Sequence, residues 1–566
     1  MPRKFMITGA LPYSNGRLHV GHIAGAYLPA DIYVRYLRAN GDDVRFVCGS
    51  DDHGVAIPIT AAKEGKTPQE VSSFYNGRQK ADFEALGIHF DIYGGTHQPG
   101  FAELHAQFSQ HFFKKVFENG YFTKKTTKQL YDVQAGKFLP DRYVKGTCPH
   151  CKHENAYGDQ CENCGQSLDP LMLVNPLSTI TGTSPEVRET IHWYMQLGQF
   201  NEKLKEYLAA HPNWRPQVLN FAKGLLVEGL PERAMTRDLE WGIPVPLDDP
   251  DAKGKVLYVW FDAPIGYVSF TAQYEQNAGK GADEYAKWWK SGDCKVIHFI
   301  GEDNVIFHAL IWPAVMMAEG TYRLPDEVVA NSFLNIKFPG KEEEKISKSR
   351  GTAIWIEECL KMFDPDPLRY YLTAIAPESQ RTAFDVDEFI QRNNSELLAA
   401  FGNFINRILA FNAKTFDDKV PPQGALDDTD KAQLELLRTF PARVAEQLEQ
   451  YRFKAALGEA MELTRQANAY VNVKQPWQQK KTDLPACGTT VNVCIQTIRC
   501  LATIVQPFLP FSARKIAKML NLDEPAAFAW NRAAEQLPAG HALGTPEVLF
   551  KKLEAKEIFA QDGSNG

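Results

Sequence analysis

Short apolar runs alternate with longer segments of helical spacing over the first 330 residues. Residues 5–7 form the first run, glycine and proline break it, and a helical pattern then extends over residues 18–41. Apolar runs at residues 45–48 and 296–300 predict two more buried strands. Strands that alternate with helices in this way predict an α/β fold with a doubly wound, Rossmann-like parallel sheet.

Three further segments are assigned to this sheet domain. Residues 66–87 and 97–119 have amphipathic helical spacing, which predicts helices on the outside of the sheet. Residues 256–270 are apolar up to Pro264 and Gly266, which predicts another buried strand.

Two other patterns divide the chain. From residue 121 to residue 233 the alternation gives way to a segment that contains four closely spaced cysteines, and after residue 385 almost the whole pattern is helical. We therefore predict a split sheet domain with an insertion, followed by an all-α helical bundle. The predicted boundaries are 1–120 and 234–325 for the two halves of the sheet domain, 121–233 for the insertion, 326–385 for a linker, 386–540 for the bundle and 541–566 for a C-terminal tail.

The turn after the first predicted strand is the first candidate site. A strand, a tight loop and a helix start direct unpaired backbone N–H groups and the positive end of the helix dipole at one place, which suits a phosphate. His19 and His22 lie three residues apart and share one face of the first helical turn. Their imidazoles can donate hydrogen bonds to phosphate oxygens. The alternative is two ordinary helix histidines.

A second candidate site follows the second predicted strand. Asp51, Asp52, His53 and Gly54 lie just past its end. Ligands of doubly wound sheets bind at the carboxyl ends of the strands, so these side chains are well placed for binding. A solvated turn is the alternative interpretation of the same four residues.

Four of the ten cysteines have the spacing C-x2-C-x9-C-x2-C. Cys148, Cys151, Cys161 and Cys164 would form two tight knuckles, and four thiolates favour one structural, tetrahedral Zn²⁺. An iron–sulfur cluster and four unligated thiols are the alternatives. The other six cysteines are scattered, which is not a disulfide framework, so we expect a reducing, cytoplasmic location.

Composition limits the partners only broadly. The net charge of the 566 residues is −7, so a nucleic-acid partner needs a local basic face rather than a global attraction. The N-terminus lacks a signal-peptide pattern. The most apolar late stretch, residues 491–511, contains polar residues and Pro507, which predicts a buried bundle helix and no membrane partner.

Residues 10–22, ALPYSNGRLHVGH, resemble the signature of class I aminoacyl-tRNA synthetases in the form found in methionyl-tRNA synthetases. The tetrad HVGH, which ends at His22, corresponds to the HxGH motif of that class. Residues 345–349, KISKS, resemble its second signature, with Ile346 in place of methionine. Both signatures stand in the expected order, and the resemblance extends over nearly the whole chain. The family also carries cysteine knuckles in the insertion that splits its sheet domain.

The resemblance implies a ligase that activates L-methionine with ATP and Mg²⁺. The products of this step would be methionyl-adenylate and pyrophosphate, and methionine would then pass to the 3′ end of tRNA(Met) for translation initiation and elongation. No protein nucleophile is needed, so catalysis rests on alignment and charge stabilisation. The glycine-flanked lysine loop would clamp the phosphates as pyrophosphate leaves.

The resemblance also implies roles for individual residues. The catalytic residues would be His19, His22, Lys345 and Lys348. The ATP site would consist of His19, Gly21, His22, Gly301, Asp303, Lys345, Ser347 and Lys348. The methionine site would consist of Ala10, Leu11, Tyr13, Asp51, Trp260, Pro264, Tyr267, His308 and Trp312, with Arg237 near the active site. Asn403, Arg407 and Trp477 would read anticodon bases.

Within this assignment, Asp51 would bind the α-ammonium group of methionine, because a buried ammonium needs an opposite charge. Aromatic and imidazole groups suit a thioether, although plain core packing is the alternative for these side chains. For Trp477, stacking on a base is weighed against packing on the bundle.

Three alternatives stand beside this interpretation. A leucyl enzyme is disfavoured by the aromatic pocket and by an insertion too short for a separate hydrolytic editing domain, and a cysteinyl enzyme would hold its metal in the pocket. A catalytically silent binding protein for tRNA is disfavoured because both signatures are intact. Since the chain ends soon after the bundle, we expect a monomer, although a shortened form of a longer, dimeric protein would have the same sequence.

Overall fold

A five-stranded parallel sheet is the centre of the structure. Lys4–Gly9 lies in the middle, between Cys294–Gly301 and Asp43–Ser50, while Glu327–Asn331 and Ile92–Gly95 form the edges. Since the connections leave the middle strand in both directions, the sheet is doubly wound, as predicted. The computed structural model describes residues 2–158, 161, 163–164, 166, 168–281, 283–346 and 352–554.

Helices cover both faces of this sheet. The first predicted helix begins at Val20, with His19 as its N-cap, and contains a π-helical stretch at Ile23–Tyr27. A second π-helical stretch, Phe307–Ile311, follows the strand Cys294–Gly301. The α-helices of this layer are Val20–His22, Leu28–Ala39, Ala56–Glu64, Pro68–Ala85, Ala102–Glu118, Val259–Asp262, Ile265–Asn277, Ala286–Trp289 and Trp312–Glu319.

The strand predicted from residue 256 up to Pro264 is wrong. Only Val256–Leu257 is extended, and the segment continues as the helices Val259–Asp262 and Ile265–Asn277. The second helix buries nearly every side chain of its first two turns, so the sequence has no polar face. A fully apolar run has no period that separates a buried helix from a buried strand, which explains the error.

The insertion is built from two antiparallel sheets. Its long hairpin pairs Phe122–Asp132 with Glu186–Met195 over ten residue pairs. Lys137–Phe138 and Arg233–Ala234 extend this sheet. The smaller sheet, which carries the first cysteine knuckle, consists of Val144–Thr147, Ala156–Tyr157 and Val174–Ser178. The helices Asn201–Ala209 and Pro216–Glu228 and the strand pair Thr236–Arg237 and Val256–Leu257 lead back to the main sheet.

A small mixed sheet and a helical bundle complete the chain. One helix, Leu484–Val505, is the single described segment with the length and hydropathy of a membrane span, and that apolar stretch is wholly buried. It therefore forms the core of the bundle, as the sequence predicted. The small sheet consists of Leu334–Lys337, Glu344–Lys345 and Thr382–Asp385. The helices are Ile356–Met362, Pro365–Ala374, Val386–Arg392, Asn403–Phe416, Asp428–Glu449, Phe453–Lys474, Pro476–Thr482, Leu484–Val505 and Pro510–Met519, with a π-helical stretch at Asn393–Gly402.

The last described residues pack on the bundle without forming a helix or a strand. Phe550 is 3% exposed, and its ring centroid lies 6.2 Å from that of Phe401. Asn393 donates a hydrogen bond to the carbonyl of Lys551. The last described segment therefore docks on the bundle in an ordered way, although its sequence has little hydrophobic periodicity. The final QDGSNG, which the sequence predicts to be flexible, lies outside the described residues.

Arg369 joins the sheet domain to the bundle. This guanidinium is fully buried and donates to the Asp31 carboxylate at 2.7 Å. It also donates to the backbone carbonyls of Leu86, Pro507 and Phe508. Burial works against the charge on Asp31, but the adjacent guanidinium groups outweigh it and lower the pKa of the carboxyl group. A buried cation that is paired with a carboxylate and hydrogen-bonded to three carbonyls is costly to disrupt.

We expect Arg369→Met to lower the free energy of unfolding by about 3 kcal/mol, because three buried carbonyls lose their donor and Asp31 keeps only its ion pair with Arg35. The thermal denaturation midpoint measures this effect. The matched control is Arg381→Met, which removes an exposed ion pair with Glu302 and is expected to cost less than about 1 kcal/mol. Equal midpoints for the two variants would contradict the assigned importance of Arg369.

Candidate active site

A cleft of about 310 Å³ opens at the carboxyl ends of the two central strands. One side is the loop that follows Lys4–Gly9, and the opposite side is the turn that follows Cys294–Gly301. This is the point where the chain reverses its direction across the sheet, which is the usual ligand position in such folds. Ten predicted site residues line it: Ala10, Leu11, Tyr13, His19, Gly21, His22, Trp260, Gly301, Asp303 and Lys345.

His19 and His22 cap the first helix. Nδ1 of His19 accepts a hydrogen bond from the Gly21 backbone N–H, and Nδ1 of His22 accepts one from the His19 backbone N–H. Each neutral imidazole therefore carries its proton on Nε2. The rings stack with their centroids 3.6 Å apart. Two parallel donors at a helix start form a suitable cradle for phosphate oxygens.

Gly21 stands between the two histidines for a steric reason. A Cβ at this position would lie 3.0 Å from the ring of His19 and 3.2 Å from Cδ1 of Ile346. The same contact brings the second signature against the first. Thus residues more than three hundred positions apart in the sequence meet at the start of one helix.

The described part of the lysine loop contains the short strand Glu344–Lys345, which pairs with Asn335 and Ile336. Lys345 is exposed, with Nζ 5.6 Å from the ring centroid of Phe333 in the cleft wall. Its backbone carbonyl accepts a hydrogen bond from Thr352. The two other predicted loop residues, Ser347 and Lys348, lie outside the described residues.

Two aromatic rings form the outer wall of the cleft. Trp260 stacks on Phe307 with their ring centroids 3.8 Å apart and their planes 7° apart. Tyr13 meets Trp260 edge-on at 6.4 Å. Tyr13 and Trp260 both line the cleft, so an apolar ligand group there would meet aromatic surface.

Asp51 lies behind this wall, 3% exposed. Its backbone pairs with the loop of the cleft, because its N–H donates to Pro12 and its carbonyl accepts from Ser14. Burial and the nearby Asp262 carboxylate raise the pKa of Asp51 well above its usual value. A bound cation would reverse that shift, since an opposite charge favours the ionised carboxylate.

Tyr267 and His308 are linked beneath the cleft. Nδ1 of His308 donates to the carbonyl of Asn304, so Nε2 accepts the hydrogen bond from the Tyr267 hydroxyl group at 2.9 Å. Burial lowers the pKa of His308 to about 4, which keeps the imidazole neutral near pH 7. The two side chains therefore form an uncharged polar pair, called the floor below, which contacts the lining residue Asn304 but does not itself line the cleft.

Three other predicted residues lie outside the cleft lining. Trp312 is 1% exposed and packs 5.7 Å from the ring centroid of Phe112. Pro264 is the N-cap of the helix Ile265–Asn277. The guanidinium of Arg237 stacks 3.9 Å from the ring centroid of Tyr258 and donates to two backbone carbonyls.

Sequence reasoning missed part of the cleft wall. Several of these residues follow the edge strand Glu327–Asn331, whose apolar run was not assigned to the sheet. Others belong to the π-helical stretch Ile23–Tyr27, and such stretches often occur at functional sites. The missed lining residues are Pro12, Gly25, Ala26, Tyr27, Asn304, Ser332, Phe333, Leu334 and Ile346.

The four knuckle cysteines converge in the insertion. Their sulfur atoms all lie within 4.8 Å of one another, with Cys148–Cys164 at 3.9 Å and Cys151–Cys161 at 3.5 Å. Four sulfurs around one tetrahedral metal ion at about 2.3 Å would show separations of about 3.8 Å. A hydrogen bond from Asn163 lowers the pKa of Cys151 to about 6, which favours the thiolate. This four-cysteine cluster can therefore hold a metal ion.

A second pocket, also of about 310 Å³, lies in the helical bundle. Arg407 and Trp477 line it, with the guanidinium 5.3 Å from the indole ring centroid. Asn403 lies one helical turn before Arg407 and is exposed. The pocket thus combines an aromatic plane with hydrogen-bond donors.

Two family models match the chain. The model of class I tRNA synthetases (M) matches residues 5–409, and the model of the anticodon binding domain of methionyl tRNA ligase matches residues 420–562. Methionine–tRNA ligases of Cytophaga hutchinsonii and Porphyromonas gingivalis are 46% and 47% identical to the chain over 569 aligned positions. These alignments cover 99% of the chain and 81% of each relative.

The solved structure of the Mycobacterium tuberculosis methionyl-tRNA synthetase in complex with methionyl-adenylate superimposes on the chain with a TM-score of 0.79. The two sequences are 26% identical, and the match covers 97% of this chain and 99% of the other. The fold, both signatures and the relatives all agree. The chain belongs to the methionyl-tRNA synthetase family, the class I methionine–tRNA ligases.

Proposed function

We propose that this chain joins L-methionine to tRNA(Met) at the cleft above the central strands. The observation that carries the assignment of the site is the contact of the two signatures, in which Ile346 of KISKS lies against Gly21 of HVGH. The methionine carboxylate attacks the α-phosphorus of ATP, and pyrophosphate leaves with the electrons of the broken P–O bond. The adenylate then passes its acyl group to the 3′-terminal adenosine, and AMP leaves.

The ATP half of the cleft is assigned to the helix start and the lysine loop. The Nε2–H groups of His19 and His22 would donate to phosphate oxygens as negative charge moves onto the leaving group. Lys345 and Lys348 would stabilise the triphosphate together with Mg²⁺, with Ser347 in the same loop. Gly301 ends a central strand and would contact ATP, and Asp303, which follows it, would lie near the ribose.

The methionine half is assigned to the aromatic wall and the neutral floor. Tyr13 and Trp260 would cover the thioether chain, and the Tyr267–His308 pair would meet the sulfur atom without a charge. Asp51 would bind the ammonium group. Ala10, Leu11, Pro264 and Trp312 would shape the remaining surface, and Arg237 would act at the edge of the site.

The remaining proposals concern the other regions. Asn403, Arg407 and Trp477 would bind unstacked anticodon bases by stacking and hydrogen bonding. Zn²⁺ held by the four cysteines would stabilise the insertion and would take no part in the reaction, since all four ligand positions are filled. The proposal also includes the predicted domain boundaries, a monomeric state and a cytoplasmic location. The free cysteines of the described chain support a reducing compartment.

Amino-acid-dependent ATP–pyrophosphate exchange tests the assigned reaction. We expect exchange with methionine and with none of the other nineteen amino acids, in the absence of tRNA. The variant His22→Ala tests the phosphate role in the same assay. It removes one phosphate donor and is expected to lower the exchange rate about 10²- to 10³-fold. Exchange with a different amino acid would overturn the pocket assignment, and an unaffected His22→Ala variant would overturn the phosphate role.

Trp477→Ala tests the bundle pocket. We expect the methionine-dependent exchange to be unchanged, whereas the KM for tRNA in aminoacylation rises about tenfold, as loss of base stacking predicts. Val473→Ala is the matched control, because this side chain is 68% exposed on the preceding helix. Equal loss in both assays would show a folding defect instead of a lost tRNA contact.

Metal analysis tests the cysteine cluster. We expect one zinc ion per chain, lost in Cys161→Ser and retained in Cys494→Ser, whose thiol is buried in the bundle. The reason is that tetrahedral zinc requires all four thiolates. Iron with visible absorbance in the purified protein would contradict the zinc assignment.

A further inference from the structure

Asn331 lies behind the cleft and does not line it, but its side chain connects two segments of the cleft wall. It is the last residue of the edge strand Glu327–Asn331, is 1% exposed, and has no role in the reaction proposed above. Its Nδ2 donates to the carbonyl of Ala24 at 2.8 Å. Ala24 belongs to the π-helical stretch Ile23–Tyr27, which follows His22 directly.

The carbonyl of Ala24 needs a donor from outside its own helix. In a π-helical stretch the N–H of each residue donates to the carbonyl five residues earlier, as the N–H of Leu28 does to Ile23. The next residue is Pro29, which has no N–H, so the carbonyl of Ala24 receives no hydrogen bond from that position. A buried carbonyl without a donor is costly, and Asn331 supplies the donor.

Arg215 fixes the orientation of this amide. Nη1 of Arg215 donates to Oδ1 of Asn331. A guanidinium can only donate and a carbonyl can only accept, so the amide oxygen faces Arg215 and the amide N–H faces Ala24. Arg215 is the N-cap of the helix Pro216–Glu228, and its Nη2 donates to the carbonyl of Tyr451 in the bundle at 2.8 Å. The insertion and the bundle therefore both hold Asn331 in place.

Both segments that this amide joins contribute to the cleft wall. Residues 25–27, which follow Ala24 in the π-helical stretch, line the cleft, and so do residues 332–334, which follow Asn331. One hydrogen bond thus joins the two segments directly behind their lining residues.

The two segments lie in the half of the cleft that is assigned to ATP. The π-helical stretch continues the turn of His22, whose imidazole would donate to phosphate. The ring of Phe333 lies 5.6 Å from Nζ of Lys345, which would stabilise the triphosphate. A shift between the segments would therefore separate the groups that must act on one nucleotide at the same time.

We propose that Asn331 is a positioning residue for ATP, which holds the π-helical stretch and residues 332–334 at the separation that the nucleotide requires. It acts through the backbone of these segments and does not contact the reacting atoms. The inference rests on the proposed assignment of ATP to this half of the cleft.

Two substitutions of Asn331 test this role. Asn331→Asp has the same shape and still accepts from Arg215, but it cannot donate to Ala24. Asn331→Ala removes the same donor without adding a charge, so repulsion of ATP by a new carboxylate cannot explain a shared effect. We expect both variants to raise the KM for ATP in methionine-dependent ATP–pyrophosphate exchange about tenfold, because misplaced binding groups lose affinity for the nucleotide.

The KM for methionine is expected to stay near the parent value in both variants. A purely structural defect would reduce the amount of active protein, which lowers the rate and leaves both KM values unchanged. The matched control is Asn119→Ala, since Nδ2 of Asn119 also donates to a helix carbonyl, that of Ala318, at 2.8 Å, and the residue does not line the cleft. This control is expected to keep the parent KM for both substrates.

Binding of MgATP without methionine, measured by isothermal titration calorimetry, gives a second readout that does not depend on the reaction. The Kd for ATP is expected to rise about tenfold in both Asn331 variants. Circular dichroism establishes that each variant is folded, and if Asn331→Asp is unfolded, Asn331→Ala decides.

Parent values of the KM and Kd for ATP in Asn331→Ala, or an equal rise in the KM for both substrates, would contradict the inference. Absence of exchange in the parent protein would contradict the proposed function instead, and the Kd for ATP would still decide the role of Asn331.

Discussion

The buried guanidinium of Arg369 fixes the position of the sheet domain relative to the helical bundle. It lies at the point where the helix Leu28–Ala39 of the sheet domain, the helix Pro365–Ala374 and the start of the last bundle helix meet. Its acceptors are Asp31 on the first of these helices, Leu86 after the helix Pro68–Ala85, and Pro507 and Phe508 in the turn before the last bundle helix. Moving one of these segments would therefore leave a buried cation or a buried carbonyl unpaired. The distance between the cleft and the bundle pocket is therefore held by a polar contact as well as by the continuous apolar core.

A fixed arrangement matters because small displacements would change the geometry of the cleft. Nδ1 of His19 and Nδ1 of His22 accept hydrogen bonds from backbone N–H groups of one helical turn. The conformation of this turn therefore sets both the orientation of the imidazoles and the position of their protons. The lysine loop approaches the same turn through Ile346, and a side chain larger than glycine at position 21 would have to displace Ile346 or the ring of His19. Electrostatic stabilisation of a moving charge requires donors that are already in place, and in the proposed reaction this turn would provide them.

Local spacing predicted the parallel sheet, the cysteine cluster and the paired histidines: apolar runs ended by glycine, paired cysteines, histidines three apart. The resemblance to the class I synthetases, and not spacing, supplied the roles of the residues at both signatures. Local spacing did not predict the helices at residues 259–277, since that segment is apolar on every side. Nor could it reveal Ser332 and Phe333 in the cleft wall or Phe550 docked on the bundle. These contacts join distant segments and leave no periodic signal.

The arrangement of charge around the cleft explains how one small space can hold a zwitterion with an apolar tail. His308 is kept neutral by burial, and its proton is fixed on Nδ1 by Asn304, so the floor offers polar contact without an ion. Asp51 and Asp262 are the buried carboxyl groups near the aromatic wall, and burial and the repulsion of Asp262 raise the pKa of Asp51 until a cation binds beside it. In the proposed function the histidines would donate to phosphate at one end, and Asp51 would bind the ammonium group at the other. A ligand with both charges would then bind in one direction, with its carboxylate toward the histidines.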